Sequence, residues 1–334
     1  MKPNRISNPW IYGIILILTA YFSFWAGRLG LDNMELPFSD IGYETESIVD
    51  SHYFIRPRLI LKNVRFYWQK GIFVEADRLS LEAIPKNGEI LPFDQPELFS
   101  LKILNGNIHI SFESLEKLIN ERLFSFPEST LRKIKLRPIF HNGVWKLKIS
   151  GEVKLVVWVS FEGIATVKID PESGRILVEN ESVRALLNPY TKELLNTVGV
   201  SIEDLIRFPK GKGLVFSGNK VFFEPFSVFP DPEVEGKIKD LKLNENTLDI
   251  EFIAEQEIPS PKTNSKNYIY VTGGKLLFGG IQVHQGKVLL IDREESSLFD
   301  FSFSEYKKAL SLSNVRMEED GRILIFMPDS PPLE

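Results

Sequence analysis

Residues 144–169, VWKLKISGEVKLVVWVSFEGIATVKI, alternate in chemistry over a length that strongly limits how the chain can fold. Trp145, Leu147, Ile149, Val153, Leu155, Val157, Val159 and Phe161 hold one parity, while Lys146, Lys148, Ser150, Glu152, Lys154, Ser160 and Glu162 hold the other. Successive side chains on a strand point to opposite faces, so this pattern demands extended chain with one face covered and one wet. Just upstream, SFESLEKLINERLF (111–124) sets Phe112, Leu115, Leu118, Ile119, Leu123 and Phe124 at helical spacing. Glu113, Glu116, Lys117, Asn120 and Glu121 take the other face of that helix. One apolar helix beside long one-sided strands predicts an α+β, mostly β fold: a long curved antiparallel sheet wrapped around an amphipathic helix.

The flanking segments read in the same way. Residues 59–68 and 72–83 form a hairpin around Gln69-Lys70-Gly71, and 101–110 is a strand pair or a bent strand running into the helix. Ser111 is the expected N-cap, with Glu113 in the first turn suiting the helix dipole. Asn142-Gly143 joins the strand ending at His141 to the one starting at Val144, and Asp170-Pro-Glu-Ser-Gly174 is a second turn. Helices are expected over 183–198 and from Ser201. Residues 214–224 and 237–254 return to strand, the latter turning at Asn244-Glu-Asn246. Pro259-Ser-Pro261 marks an internal boundary. Short strands punctuated by Gly273-Gly274, Gly279-Gly280 and Gly286 follow, then a short helix (SEYKKALSL) and a last strand (RILIFM).

Residues 9–27, PWIYGIILILTAYFSFWAG, carry no charge. At 1.5 Å per residue such a helix reaches about 28 Å, close to the hydrocarbon thickness of a bilayer. Trp10 and Tyr12 stand at one end and Tyr21, Phe22, Phe24 and Trp25 at the other, as interfacial aromatic belts do. Lys2 and Arg5 precede the run, whereas Asp32, Glu35 and Asp40 follow Arg28. The expectation is a single-pass anchor in the inner (cytoplasmic) membrane, N-terminus inside, with the bulk of the chain periplasmic or otherwise extracytoplasmic. A cleaved signal peptide would export the chain too, but Ala26-Gly27-Arg28 is a poor cleavage site. A buried soluble helix is the third reading.

Chemistry-bearing motifs are sparse. The chain has no cysteine, which removes disulfides, thiolate zinc sites and cysteine nucleophiles. Its four histidines, His52, His109, His141 and His284, are scattered singly, so no metal site and no cofactor is expected. Ser114-Leu-Glu-Lys117 has the serine–lysine spacing of penicillin-recognising enzymes without their companion motifs, and Ser114 suits an ordinary first helical turn. Lys210-Gly-Lys212-Gly213 lacks the spacing of a phosphate loop. A formal net charge of −5 argues against a general nucleic-acid binder. Twenty-five phenylalanines against four histidines describe a packing or lipid-contact protein more than an enzyme.

Basic residues concentrate in two neighbouring strands. Lys133, Lys135 and Arg137, with Lys146 and Lys148, fall opposite the apolar face of their strands. They form either a solvated sheet face or a patch for anionic lipid headgroups.

The order helix (ISFESLEKLINERLF), strand, Asn-Gly hairpin, long strand, DPESG turn and strand resembles the LmeA-like phospholipid-binding family. So does the continuation through NPYTKELLNTVG, SIEDLIRFP and GKGLVFSGNKVFFEP. The resemblance covers roughly 110–252 and implies a fold of the tubular lipid-binding (TULIP) kind, a curved sheet wrapping a helix to enclose lipid. The N-terminal part, an anchor followed by LILKNVRFYWQKGIFVEADRLSLEAI and LFSLKILNGNIHIS, resembles the opening of AsmA-like inner-membrane proteins implicated in lipid transport. The chain lacks their long repetitive groove.

Four parts are thus expected: an anchor (1–28), a spacer with an AsmA-like β-rich segment (29–110), a TULIP-like core (111–256) and a β-rich C-terminal segment with one short helix (257–334). The expected function is non-enzymatic binding or transfer of phospholipid or another lipid. The candidate groove residues are Leu115, Leu118, Ile119 and Phe124 on the helix and Trp145, Leu147, Leu155, Val157 and Phe161 on the strands. Closed core packing is the competing account of the same nine. A scaffolding protein binding partners through sheet edges is the alternative function.

Overall fold

The computed structural model describes residues 56–154, 157–185, 206, 208–209, 213–278 and 280–329. The expected anchor and spacer, the helices expected over 183–198 and from Ser201, and Lys210 and Lys212 lie wholly or largely outside the described residues. No helix among those described is long and apolar enough to cross a membrane.

The chain opens with β1 (Arg58–Gln69) and β2 (Ile72–Pro85), passes a short β3 (Ile90–Pro92) and runs along β4 (Phe99–Ser111). Helix α1 (Phe112–Leu118) follows, extended by a π-helical turn, Ile119–Leu123. Strands β5 (Leu131–His141), β6 (Val144–Lys154), β7 (Trp158–Ile169) and β8 (Ile176–Ala185) form a meander, joined by the hairpin of β9 (Leu214–Ser217) and β10 (Lys220–Phe223). Then come β11 (Glu233–Glu235), β12 (Ile238–Leu243), β13 (Thr247–Phe252), β14 (Tyr268–Thr272), β15 (Lys275–Phe278) and β16 (Ile281–His284). After β17 (Lys287–Asp292) and β18 (Phe299–Ser302), helix α2 (Tyr306–Ser311) leads to a closing hairpin, β19 (Asn314–Met317) and β20 (Arg322–Met327).

The fold is mostly β, built on large curved sheets. The main sheet runs β12-β13-β4-β2-β1-β14-β17-β20-β19, with β11 beside β4 and β18 beside β1. A second sheet runs β5-β6-β7-β8-β10-β9, and a third β16-β15-β3. The expected boundaries at 110/111, 256/257 and 259–261 do not separate compact bodies. Residues Phe54–Glu334 form one unit, because β13 returns to pair with β4 and β14 returns to pair with β1.

Strand β1 changes partner halfway along. Its first half, Arg58–Lys62, pairs antiparallel with β14, and its second half, Val64–Tyr67, pairs parallel with β18. Asn63 sits between them in a left-handed conformation (φ +49°). At the same level the core-facing parity inverts on three strands: Leu59 and Leu61 give way to Val64 and Phe66, Leu79 to Ala76, and Ile103 to Ile108. On β4 the inversion requires Gly106, at φ +131°, where a Cβ would stand 2.2 Å from the Arg78 carbonyl oxygen. The strands therefore keep one apolar face toward the core on both sides of a seam.

A polar knot fills the junction. Asn63 Nδ2 donates to the Lys266 carbonyl at 3.0 Å and to Asn267 Oδ1 at 3.3 Å. The buried Asn267 donates in turn to Asp292 Oδ2 at 2.9 Å and to the Ser297 carbonyl at 2.5 Å.

The second sheet differs from expectation in one instructive way. Residues 144–169 are two strands in a hairpin, Lys154 pairing with Trp158, so a single very long strand is not present. The turn preserves parity, setting Val153 opposite Val159, Gly151 opposite Phe161 and Leu147 opposite Ala165. A tight hairpin of this span leaves alternation unbroken, which is why the sequence pattern reads as continuous. Residues 214–224 likewise fold back as β9 and β10. Helix α1 is shorter than its apolar pattern, and it bridges β4 to β5 at the margin of the core. Its Phe112 and Leu115 join the main core that both large sheets share, while Leu118 packs with Ile72, Leu123 and Val228.

The outer face of the β14–β17–β20 region is covered as well. A strap after β13 crosses it, with Ile258 packing on Ile60, Leu104, Tyr268, Tyr270 and Leu289. Lys102 and Lys237, at 2.7 and 2.9 Å, grip Glu255 and hold its carboxyl at about 2. Burial on both faces explains the unbroken apolar runs of β14 and β17.

Replacing Asn267 by alanine strips the buried Asp292 carboxylate of a donor. It is expected to lower the unfolding free energy of the full chain by about 2–4 kcal/mol. Urea denaturation should show that loss, whereas Gly143→Ala, at an open turn where the φ of +80° is the only penalty, should cost about 1–2 kcal/mol.

Candidate functional site

An apolar cavity lies against the core face of the large sheet. It measures about 50 Å³, and its walls include Leu61, Phe66, Trp68, Ala76, Phe226 and Phe229. Its wall is wholly apolar, and one lining residue, Trp68, carries an indole N–H. That Nε1 is buried and has no hydrogen-bond partner among the described residues. The Trp68 ring stacks on Phe229 at 4.3 Å and meets Phe66 edge-on at 4.7 Å. An apolar cavity that admits benzene measures ~150 Å³, so this slot is too small for an acyl chain as it stands.

None of the eight described candidate groove residues lines it. Leu115 and Leu147 are buried in the main core, with Ile119, Phe124, Trp145 and Phe161 packed at its margin, and Leu118 is buried in the cluster around Ile72. Val157 is 61% exposed at the β6–β7 turn, because the chain reverses there, and Leu155 lies outside the described residues. Much of the phenylalanine load fills the core. Phe93, Phe278 and Phe301 surround the fully buried Tyr306 with ring centroids 5.4–6.3 Å away, and Phe66, Phe99 and Phe303 continue the cluster. The slot residues Trp68, Ala76 and Phe229 were beyond sequence reasoning, since only the parity inversion at Asn63 brings Phe66 and Trp68 to the same face as Leu61.

The basic strands are laddered with carboxylates. Glu152 holds Arg132 at 2.5 Å and Lys133 at 2.8 Å, both cations standing at a bulge of β5 where Lys133 adopts φ +54°. Lys135 pairs with Glu116 at 3.0 Å, Lys146 with Glu181 at 2.5 Å and Lys148 with Glu162 at 3.0 Å. Arg137 is in no ion pair among the described residues. A headgroup phosphate reaching the other four would compete with a carboxylate already in place.

Ser114 and Lys117 have structural employment. Ser114 Oγ donates to the Phe73 carbonyl at 2.8 Å and accepts from the Phe73 N–H at 2.9 Å, stitching α1 to β2. Lys117 Nζ caps the Lys70 carbonyl at 2.6 Å. Ser111 is the N-cap, accepting from the Ser114 N–H at 3.1 Å.

A polar cleft of about 430 Å³ opens on the other face of the sheet at the seam, lined by Arg78, Asn107, His109, Asp240, Lys242 and Asp249 among others. His109 bridges Asp249 (Nδ1, 2.8 Å) and Asp77 (Nε2, 3.1 Å), and Asn107 also donates to Asp77 at 2.8 Å. Both ring nitrogens are occupied, so the imidazole has no free position from which to act as a base. No cluster of three or more His, Asp or Glu among the described residues could hold a metal ion. Burial alone would lower the His109 pKa, but hydrogen bonds to Asp249 and Asp77 and their charges outweigh it and raise it above 6.5. Asp77 is opposed by burial in the same way, yet Asn107 and His109 bring its carboxyl below 3.8.

Comparison with family models, curated proteins and solved structures finds no match. The resemblances drawn above therefore stand on the quoted residues alone.

The His109 bridge carries a pH signature. Its contribution to stability is complete below the unfolded value near 6.5 and is lost as pH rises through the raised folded value. NMR titration of the full chain should place the His109 midpoint above 6.5. His109→Gln should remove the decline in stability over that window, and a midpoint below 6.5 would refute the bridge.

Proposed function

We propose that this chain is a membrane-anchored, envelope-side protein that binds or helps transfer phospholipid or another lipid without catalysing a reaction. The observation that carries the reading is the wholly apolar slot, one of whose lining residues, Trp68, carries a buried donor without a partner among the described residues. An orphaned N–H in a greasy wall costs about 1–3 kcal/mol unless something accepts from it. An acyl chain ending in an ester or carboxyl oxygen supplies both the apolar body and the acceptor. The slot reaches ligand size when the segment carrying Phe226, Phe229 and Val234 moves aside. That segment joins the main sheet through the three-residue β11, the Lys86–Glu233 ion pair at 3.0 Å and the Phe229–Trp68 stack. The large curved sheets, the resemblance to lipid-binding families and the uncharged 9–27 run support the same reading. On this reading the protein sits in the inner membrane with its bulk on the far side.

A second reading has its own observation. The interior is nearly filled, and the edge strand β19 exposes Val315 and Met317 next to an exposed Leu312. A scaffolding protein that pairs through that edge would look like this.

Native mass spectrometry and lipid extraction on the full chain purified from cells separate the two. Lipid at defined stoichiometry is expected from the native chain. Ala76→Val, which adds about two methyl-sized groups to the slot wall, should abolish it while shifting stability by less than about 1.5 kcal/mol. A lipid-free native chain, or full lipid occupancy in Ala76→Val, would refute binding in the slot.

A further inference from the structure

We infer that the tip of the β5–β6 hairpin is a second membrane-contact site, which inserts aromatic side chains into the interface of a phospholipid bilayer. The inference rests on the membrane placement proposed above but not on occupancy of the slot. Phe140 and Trp145 stand directly opposite each other across the hairpin, with ring centroids 5.2 Å apart. Trp145 packs at the margin of the core, whereas Phe140 is 63% exposed and Val144 57% exposed beside the Asn142-Gly143 turn. A cross-strand aromatic pair stiffens a hairpin. That role explains the pairing of the two rings, but it leaves Phe140 and Val144 largely exposed to solvent. A two-residue Asn-Gly turn forms with polar neighbours and needs no apolar side chains at its tip.

The charge around the tip identifies the partner. Residues 129–151 contain six lysines and arginines and no aspartate or glutamate. The carboxylates that pair with Lys146 and Lys148 come from neighbouring strands, while Arg137, on the edge strand behind Phe140, is exposed and in no ion pair among the described residues. Tryptophan and phenylalanine at the end of an acid-free element, with an unpaired arginine one turn back, suit the headgroup level of a bilayer. The neutralised ladder behind them means that insertion of the rings, rather than charge, supplies most of the attachment. Raised salt should therefore weaken it little.

The absence of cysteine makes the test direct, since one introduced thiol is the only labelling site. His141→Cys and, as a control in the exposed β19–β20 turn, Glu319→Cys would each carry an environment-sensitive fluorophore on the full chain. Both would be reconstituted with phosphatidylcholine–phosphatidylglycerol vesicles. The probe at 141 should shift to the blue and be quenched by lipids brominated in the acyl chain, and the shift should persist in high salt. It should disappear when Phe140→Ser and Trp145→Ser are added, while the probe at 319 should not respond. No shift at 141, an equal shift at 319, or a shift abolished by salt would overturn the proposal. Lipid co-purification reports the slot independently, so the two readings can fail separately.

Discussion

Asn63 stands where the central strand gives up one neighbour and takes another, and most of the architecture depends on that exchange being held. A strand edge that switches from β14 to β18 leaves backbone groups in the gap, and buried groups of that kind must be satisfied. The Asn63–Asn267–Asp292 chain of side-chain hydrogen bonds fills the gap, linking residues 204 positions apart. Above it, Arg65 reaches from Glu75 on β2 at 2.8 Å to Asp300 on β18 at 3.3 Å. The first and last thirds of the described chain are thus parts of one sheet. The core of β1, β2 and β4 has its full set of neighbours only after the C-terminal strands arrive. Closing contacts of this separation is slow, because the loop entropy is lost before the pairing is gained.

The seam that accompanies the exchange also decides where chemistry can sit. Inverting parity on three adjacent strands keeps leucines, isoleucines and phenylalanines on the core face along their whole length. It pushes Asp77, Arg78, Asn105 and Asn107 together on the other. The polar cleft and the apolar slot are therefore two sides of one backbone feature. In the cleft, Asp249 is further bound by Thr247 at 2.8 Å and by Asn244, so its acids and histidine are spent on one another.

Local pattern was legible where it determined local structure. The hairpin at Lys70-Gly71, the N-cap at Ser111, the Asn142-Gly143 and Asp170–Gly174 turns and the hairpin at 244–246 all follow from turn chemistry and period, and all are present. What escaped depended on partners far along the chain. No periodicity in 144–169 distinguishes one long strand from a parity-preserving hairpin, and nothing in 59–68 announces that Asn63 adopts φ +49°. The nine groove candidates were chosen for being apolar and on the correct parity. That criterion found core positions such as Leu115, Leu118 and Leu147, because burial and ligand contact demand the same side chains. The basic strands misled for the matching reason: Glu116, Glu162 and Glu181, which pair with Lys135, Lys148 and Lys146, are supplied by other elements.

A nearly filled interior still leaves room for selection among lipids, and the magnitudes say which. Moving Phe226, Phe229 and Val234 off the slot gives up burial of roughly 1.5–3 kcal/mol apiece, or about 5–9 kcal/mol in all. An acyl chain recovers about 0.8 kcal/mol for each methylene it buries, so roughly six to eleven must enter before opening is favourable. Short or polar ligands fall below that threshold, and the hydrogen bond accepted from Trp68 adds only about 1 kcal/mol. On the proposed lipid-binding reading, the plug would act as a length filter, remaining shut to small apolar molecules and yielding only to chains long enough to replace the contacts of its three side chains.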